Sequence, residues 1–344
     1  MPGWNSVLQE INKKQANGQQ AVDLVRRRYM DRLQRYTKRN VIAYYSAWLS
    51  RPPQTPNLEI GDDDKNGLMT AVHRLDRTRG VDLILHTPGG NIAATESLVD
   101  YLWRMFGSDI RVIVPQIAMS AGTMIACSAK SIVMGKQSSL GPIDPQFNGI
   151  AAQAVLDEFQ MAVQSIQQNP NCAPLWQAII GKYHPTFLLE CAQAIEMSRQ
   201  MVTTWLSRNM LSSHANPDEK AAQVLDVLAD HAHSKTHARH LSIETCQSIG
   251  LNVEVLEDDP KLQDLVLTIH HAFMHTFARS PAIKIVENHL GVATVLMEGI
   301  PAIGQPFMLG AMPNLPPPAP VPVQPVVHLA AAEAASAAPQ NKQS

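Results

Sequence analysis

The sequence predicts an α/β protein with a mostly parallel sheet and added helices in its second half. Three observations lead there. The runs Asp82 to His86, Ile110 to Val114 and Ser131 to Met134 are apolar and of strand length. The segments between them have helical character: Leu98, Val99, Leu102 and Phe106 share one helical face, and Ser120 to Ala129 is a run of small residues long enough for a buried helix. Strands separated by such helices pair in parallel through crossovers. After Gln146 strand-like runs give way to long helical patterns.

Taken in order, Met1 to Gly18 is polar and expected to be flexible. From Gln20 to Tyr36, Val22, Val25, Tyr29 and Leu33 form an apolar stripe beneath Arg26, Arg27, Arg28, Arg32 and Arg35. That basic face reads as solvated, with docking onto a neighbouring subunit or an acidic surface as the alternative. Val41 to Trp48 supplies a strand. Arg51 to Asp64 holds three prolines and an acidic run, so it is a loop, and a helix follows from Lys65 to Arg77. In the central unit Asn91 is the N-cap of the helix between the first two runs. Ala151 to Gln168 and Thr186 to Arg208 are helices broken by Asn169-Pro170-Asn171, with Trp176, Tyr183, Phe187 and Trp205 as anchors. Pro217 to Asp230 and Ile243 to Ile249 are further helices. Between them His231, His233, His237 and His240 are spaced with some metal character, although a pH-sensitive polar surface is the default reading. Leu262 to Phe277 is a helix that carries His270, His271 and His275. Ile283 to Glu287 and Val292 to Met297 form a terminal strand pair. Beyond Pro301 the chain becomes Pro- and Ala-rich and too poor in large apolar residues to bury a core, so a disordered tail is expected, either inert or read by a proline-recognising partner. The expected organisation is a flexible 1–19, a domain over 20–300 whose helical section covers about 150–280, and a tail over 301–344.

Composition narrows the class. A chain of 344 residues with net charge −2 and a pI near 6.7 has no dominant basic patch, so nucleic acid is not expected as a partner. Cys127, Cys172, Cys191 and Cys246 have no CxxC spacing and read as reduced thiols of a cytoplasmic protein. Met1 to Gln20 lacks the apolar core of a signal peptide. The uncharged window Val112 to Ala129 is interrupted by Pro115, Gln116, Ser120, Gly122 and Thr123, and fits a strand, turn and helix better than a membrane span. No P-loop is present.

Two turns of the central unit are chemically unusual. Thr87-Pro88-Gly89-Gly90 stands where a strand ends, and paired glycines there let backbone N–H groups approach a developing oxyanion. In Ala118-Met119-Ser120-Ala121-Gly122-Thr123 a serine opens a buried helix, beside the free N–H groups and the positive end of its first turn. Each has a plainer reading, Ser120 as an N-cap and Gly89-Gly90 as a turn. Their recurrence at successive strand ends favours a site at the carboxyl edge of the sheet.

HTPGG, AMSAGT and LGPIDPQ together resemble the Clp peptidase and crotonase superfamily, and within it the serine dehydrogenase proteinase family of signal-peptide-peptidase-A-like serine peptidases. The resemblance extends over roughly residues 20–295, through RNVIAYYSAWLS at Arg39 to Ser50, GKYHPTFLLE at Gly181 to Glu190, Thr236 to Val253 and KIVENHLGVA at Lys284 to Ala293. It implies repeated β-β-α units and a serine peptidase acting through an acyl-enzyme, without a cofactor or metal, on a peptide or protein substrate, in a homo-oligomer. Ser120 would be the nucleophile, and the N–H groups of Gly90 and Ala121 the oxyanion hole, with Gly89 supporting them. Asp144 stands where Clp peptidases carry histidine, so a triad of that type is not expected. Relatives similar to signal peptide peptidase A use a lysine, and Lys182 is the candidate, with His184 second. Lys130 and Lys136 flank the third strand and are expected to point to solvent. An ordinary lysine titrates near 10.4, so a base acting near neutrality must be shifted by about 4 kcal/mol, which requires burial away from acids. Two other classes stay open: a silent scaffold or binding protein on the same fold, and a crotonase-like acyl-CoA enzyme using the same glycine turn for a thioester oxyanion.

Overall fold

Period-two alternation along four central strands sorts apolar side chains onto two faces. The computed structural model describes residues 3–15, 21–147, 149–229 and 239–299. Strands β1 (Asn40–Ser46), β2 (Val81–His86), β3 (Ile110–Val114) and β5 (Ser131–Met134) run parallel side by side. On one face Ile42, Tyr44, Leu83, Leu85, Val112, Val114, Ile132 and Met134 join one core, and on the other Val41, Ala43, Tyr45, Ile84, Ile113 and Val133 join a second. A sheet buried on both sides needs near-continuous apolar strands, and these have them.

Helices α3 (Asp64–Val72), α4 (Ile92–Phe106), α5 (Ala121–Cys127), α8 (Phe187–Arg208) and α9 (Pro217–Leu228) contribute to the first core. On the second face lie α2 (Ala21–Thr37) and α11 (Pro260–Arg279), with Met30, Leu33, Leu265, Ile269 and Phe273 against the sheet. The seven-stranded order is β11-β10-β1-β2-β3-β5-β9, where β9 is Val253–Val255, β10 Ala282–Asn288 and β11 Ala293–Met297. β10 runs antiparallel to both of its neighbours, β1 and β11; the other neighbouring pairs are parallel. Two small ladders stand apart from this sheet: β4 (Ile117–Ala118) with β6 (Ser139–Leu140), and β7 (Gln146–Phe147) with β8 (Ile150–Ala151). A short helix, α10 (Ile243–Ile249), capped by Ser242, leads into β9.

Several expectations change. The segment expected to be flexible forms α1 over Trp4–Gln15, with Val7 and Ile11 buried against α2 and α11. Its apolar pair is short but finds a partner surface, which a reading of local polarity misses. The basic face of α2 is not wholly solvated: the Arg26 guanidinium is buried on the Glu287 carboxylate of β10 and donates to the Thr276 hydroxyl at 3.0 Å. The helix expected to reach Arg77 stops at Val72, because Arg74 turns the chain at φ 65°. An additional helix, α7 (Ala173–Ile180), follows the Asn169-Pro170-Asn171 break. The ladders β4, β6, β7, β8 and the strand β9 are too short to carry a periodic signal. His231, His233 and His237 lie outside the described residues.

Candidate active site

The carboxyl ends of β2 and β3 carry the two glycine- and serine-bearing turns, and backbone hydrogen bonds join them. Thr87 pairs with Ala118: Thr87 N–H donates to Ile117 O at 3.3 Å and Met119 N–H to Thr87 O at 3.0 Å. This places Gly89 directly on Ser120. A Cβ on Gly89, whose φ is +102°, would stand 2.8 Å from Ser120 Cβ and from Met119 O, and 3.0 Å from Ala121 N. Only glycine admits that approach. Gly122 is equally confined, since a Cβ there would meet Thr87 Cγ2 at 2.6 Å.

Ser120 itself is not an ordinary cap. Its φ of 49° and ψ of −113° lie outside the usual N-cap region, and its hydroxyl makes no cap hydrogen bond to α5. The plainer reading of Ser120 as a helix cap therefore loses its geometric basis. The side chain is half-buried, while all of α5 behind it is buried. Among the described residues, neither Gly90 N–H nor Ala121 N–H donates to a backbone carbonyl. The arrangement suits a chemistry in which an oxygen nucleophile meets a carbonyl whose oxygen is received by amides.

Gly90 is held from its other side. Ile60 N–H donates to Gly89 O at 2.7 Å, Asn91 N–H donates to Ile60 O at 2.9 Å, and Ile60 and Gly90 form a parallel bridge. A Cβ on Gly90, at φ +153°, would come within 2.3 Å of Ile60 N. Asn91 then caps α4 through its side chain, which accepts from Ala94 N–H at 2.9 Å. Ile60 carried no signal in the sequence, because it lies in a polar loop remote from HTPGG.

The Gly141-Pro142-Ile143-Asp144 loop closes a third side. Gly141 N–H donates to the Thr123 hydroxyl at 3.0 Å, that hydroxyl lies 2.9 Å from Gly141 O and 3.1 Å from Ala118 O, and a Cβ on Gly141 would touch the Met119 side chain. Asp144, three residues on, is buried. Leu140 exchanges backbone hydrogen bonds with Leu241 at 3.1 and 2.8 Å, an antiparallel bridge that brings His240 and Arg239 toward the start of this loop. His240 is exposed.

Lys182 and His184 follow α7 in the chain. Both are exposed in the loop between α7 and α8, next to a small apolar cluster in which Tyr183, Phe159 and Phe187 pack with α6 (Ala152–Gln168). The His184 ring contacts Phe187 and lies 4.0 Å from Glu190. Nothing among the described residues joins either side chain to Ser120. Lys130 and Lys136 are exposed, as expected. Trp205 is buried in the first core, whereas Trp176 is partly exposed on α7. Burial pushes the Cys246 thiol up to about 12 and that of Cys127 higher, and all four cysteines are free. No group of His, Cys, Asp and Glu able to hold a metal ion occurs among the described residues. No helix among them is long and apolar enough to cross a membrane.

The sequence model of the ClpP-like SDH-type serine proteinases matches residues 18–268. Two uncharacterized proteins of Methanocaldococcus jannaschii are similar. One is 28% identical over 193 residues, covering 56% of this chain and 59% of its own length. The other is 34% identical over 97 residues, covering 28% of this chain and 33% of its own. The chain thus spans less than two thirds of either relative. A solved structure of a mutant 1510-N membrane-bound stomatin-specific protease is 16% identical, with a TM-score of 0.34 over 60% of this chain and 79% of that one.

Proposed function

Because the chain belongs to the ClpP-like SDH-type serine proteinase family, we propose that its domain over about 20–300 is a serine peptidase with Ser120 as nucleophile. One observation supports this most: a serine at positive φ, its hydroxyl unused as a cap, stands against a glycine that admits no side chain. The Ser120 oxygen bonds to the substrate's carbonyl carbon while its proton passes to a base. Gly90 N–H and Ala121 N–H take the charge that develops on the carbonyl oxygen, each contributing about 3–4 kcal/mol. The carbon–nitrogen bond then breaks as the base hands its proton to the leaving amine. Water, deprotonated by the same base, attacks the Ser120 ester and releases the acid, and the proton returns to the serine oxygen.

In this reading Lys182 is the base. It is exposed in the single chain, and a lysine serves as a base where burial disfavours its charged form. Its service therefore requires that bound substrate or another copy of the chain cover it. The Leu140–Leu241 pairing favours a second reading, with His240 as the base and Asp144 orienting it.

A fluorophosphonate probe applied across pH to the wild type and to Ser120→Ala, Lys182→Met and His240→Gln tests these readings. Labelling lost in S120A and K182M but kept in H240Q supports the Ser-Lys form. Loss in S120A and H240Q, with labelling kept in K182M, supports the other. A folded wild type that never labels points to a silent scaffold, and thermal stabilisation by coenzyme A points to a crotonase-like acyl-CoA enzyme.

A further inference from the structure

We propose that Lys284 is a positioning residue for the oxyanion turn, acting through the Glu59–Asp64 loop; this rests on the assignment of Gly90 N–H as an oxyanion donor. Lys284 lies on β10 opposite Ser46 of β1, and its side chain is buried. Its ammonium donates to Glu59 O at 2.7 Å and to Asp64 Oδ2 at 3.0 Å, and it makes an ion-pair contact with Asp64 Oδ1 at 2.9 Å. Asp64 Oδ2 also accepts from Gly61 N–H at 2.9 Å and from Tyr44 OH at 2.7 Å. Residues 59 and 61 are thereby tied to the sheet on both sides of Ile60. Leu58 is tied as well, because the Ser46 hydroxyl donates to Leu58 O at 2.7 Å.

Ile60 is the residue whose N–H and C=O hold Gly89 and Asn91. Gly90 lies flush against its backbone. The turn is therefore gripped between two surfaces, Ser120 on the side of Gly89 and Ile60 on the side of Gly90. The direction of Gly90 N–H depends on where the 58–61 backbone sits. A buried Lys-Asp pair is a poor route to stability, since well-packed apolar residues often serve as well. What an apolar pair could not do is reach the polar backbone of a loop. Charge-assisted hydrogen bonds to Glu59 O and, through Asp64, to Gly61 N–H do so with defined geometry.

The test uses the full chain with Lys284→Met and the double variant Lys284→Met/Asp64→Asn, which leaves no unpaired charge in the core. Lys65→Met is the control, because Lys65 belongs to the same helix but donates to Ser97, away from Ile60. Two readouts are taken: amide exchange at Ile60 and Asn91, and kcat and KM on a peptide substrate. The expected result is faster exchange at both amides and a fall in kcat of about 10²-fold at nearly constant KM, as for a displacement of order 1 Å. K65M should keep wild-type values in both. Unchanged exchange at Ile60 and Asn91 in the folded double variant overturns the proposal, and so does faster exchange with wild-type kcat. If the wild type has no peptidase activity, the peptidase reading fails, and with it the link from Lys284 to an oxyanion, even where exchange shows the grip on the turn.

Discussion

Ser120 sits at φ 49° and ψ −113°, a conformation that costs an L-residue about 1–3 kcal/mol and persists only where its surroundings impose it. Two substitutions separate that strain from chemistry. Ser120→Gly and Ser120→Ala should both abolish labelling by a fluorophosphonate, yet S120G should melt higher than S120A, by about 1 kcal/mol, since glycine accepts the angle and alanine does not. Equal melting temperatures would show that the serine carries no strain. At Gly90 the constraint is a close approach: Gly90→Ala would drive a methyl into Ile60 N, O and Cα. A loss of at least about 2 kcal/mol in urea denaturation and of about 10²–10³ in kcat is expected. At this scale the sequence displayed the two turns of the candidate site and not the residues that back them. HTPGG and AMSAGT are visible because glycine and serine at strand ends are chemically conspicuous. Ile60 and Lys284 are not, because nothing local marks a residue whose role is to stand beside another segment.

The strands and the helices between them were legible as elements, because apolar runs and helical stripes are local patterns. β3 and β5 fall on the expected residues, and α4 begins at its expected cap. Helix ends were less legible: α3 stops at a left-handed Arg74 that composition does not announce. Contacts between elements add chemistry of their own. His86, the last residue of β2, stacks on Tyr45 and lies beside Trp48 and beside His270 of α11, which in turn neighbours His271. Burial outweighs a hydrogen bond to Ser46 O and lowers the His86 pKa to about 4; burial and the neighbouring imidazoles hold His270 well below its usual range. Both pKa values are depressed on folding, so the unfolded chain binds more protons below pH 6.5. The stability is complete above that value and is lost as pH falls toward 4, by an amount on the order of 3 kcal/mol for His86. Urea denaturation between pH 8 and pH 4 should show this decline, and His86→Gln should make it shallower. A curve of unchanged slope in that variant would remove His86 from the account.

Across the whole molecule, the parallel core is extended by strands from the far end of the chain, and buried charge secures the junction. Arg26 of α2 and Glu287 of β10, 261 residues apart in sequence, are both buried and joined, with Arg27 adding a second bond to the same carboxylate at 2.7 Å. Removing one member of a buried pair leaves the other exposed to a low dielectric, so Arg26→Met should cost about 3–5 kcal/mol. Thermal and urea denaturation would register that loss, and a variant within 1 kcal/mol of wild type would show that Arg27 alone satisfies Glu287. By itself the sequence determined the strand-helix-strand unit, its mostly parallel sheet and the two turns at its edge, since these follow from periodicity and from residue types acting on their neighbours. Only the tertiary structure decided that α1 packs, that a basic face goes inward, and that Ile60, Asp64 and Lys284 back the glycine turn. Those outcomes depend on which distant segments meet, and a buried charge or a backbone clamp acquires its meaning only from the partner it finds there.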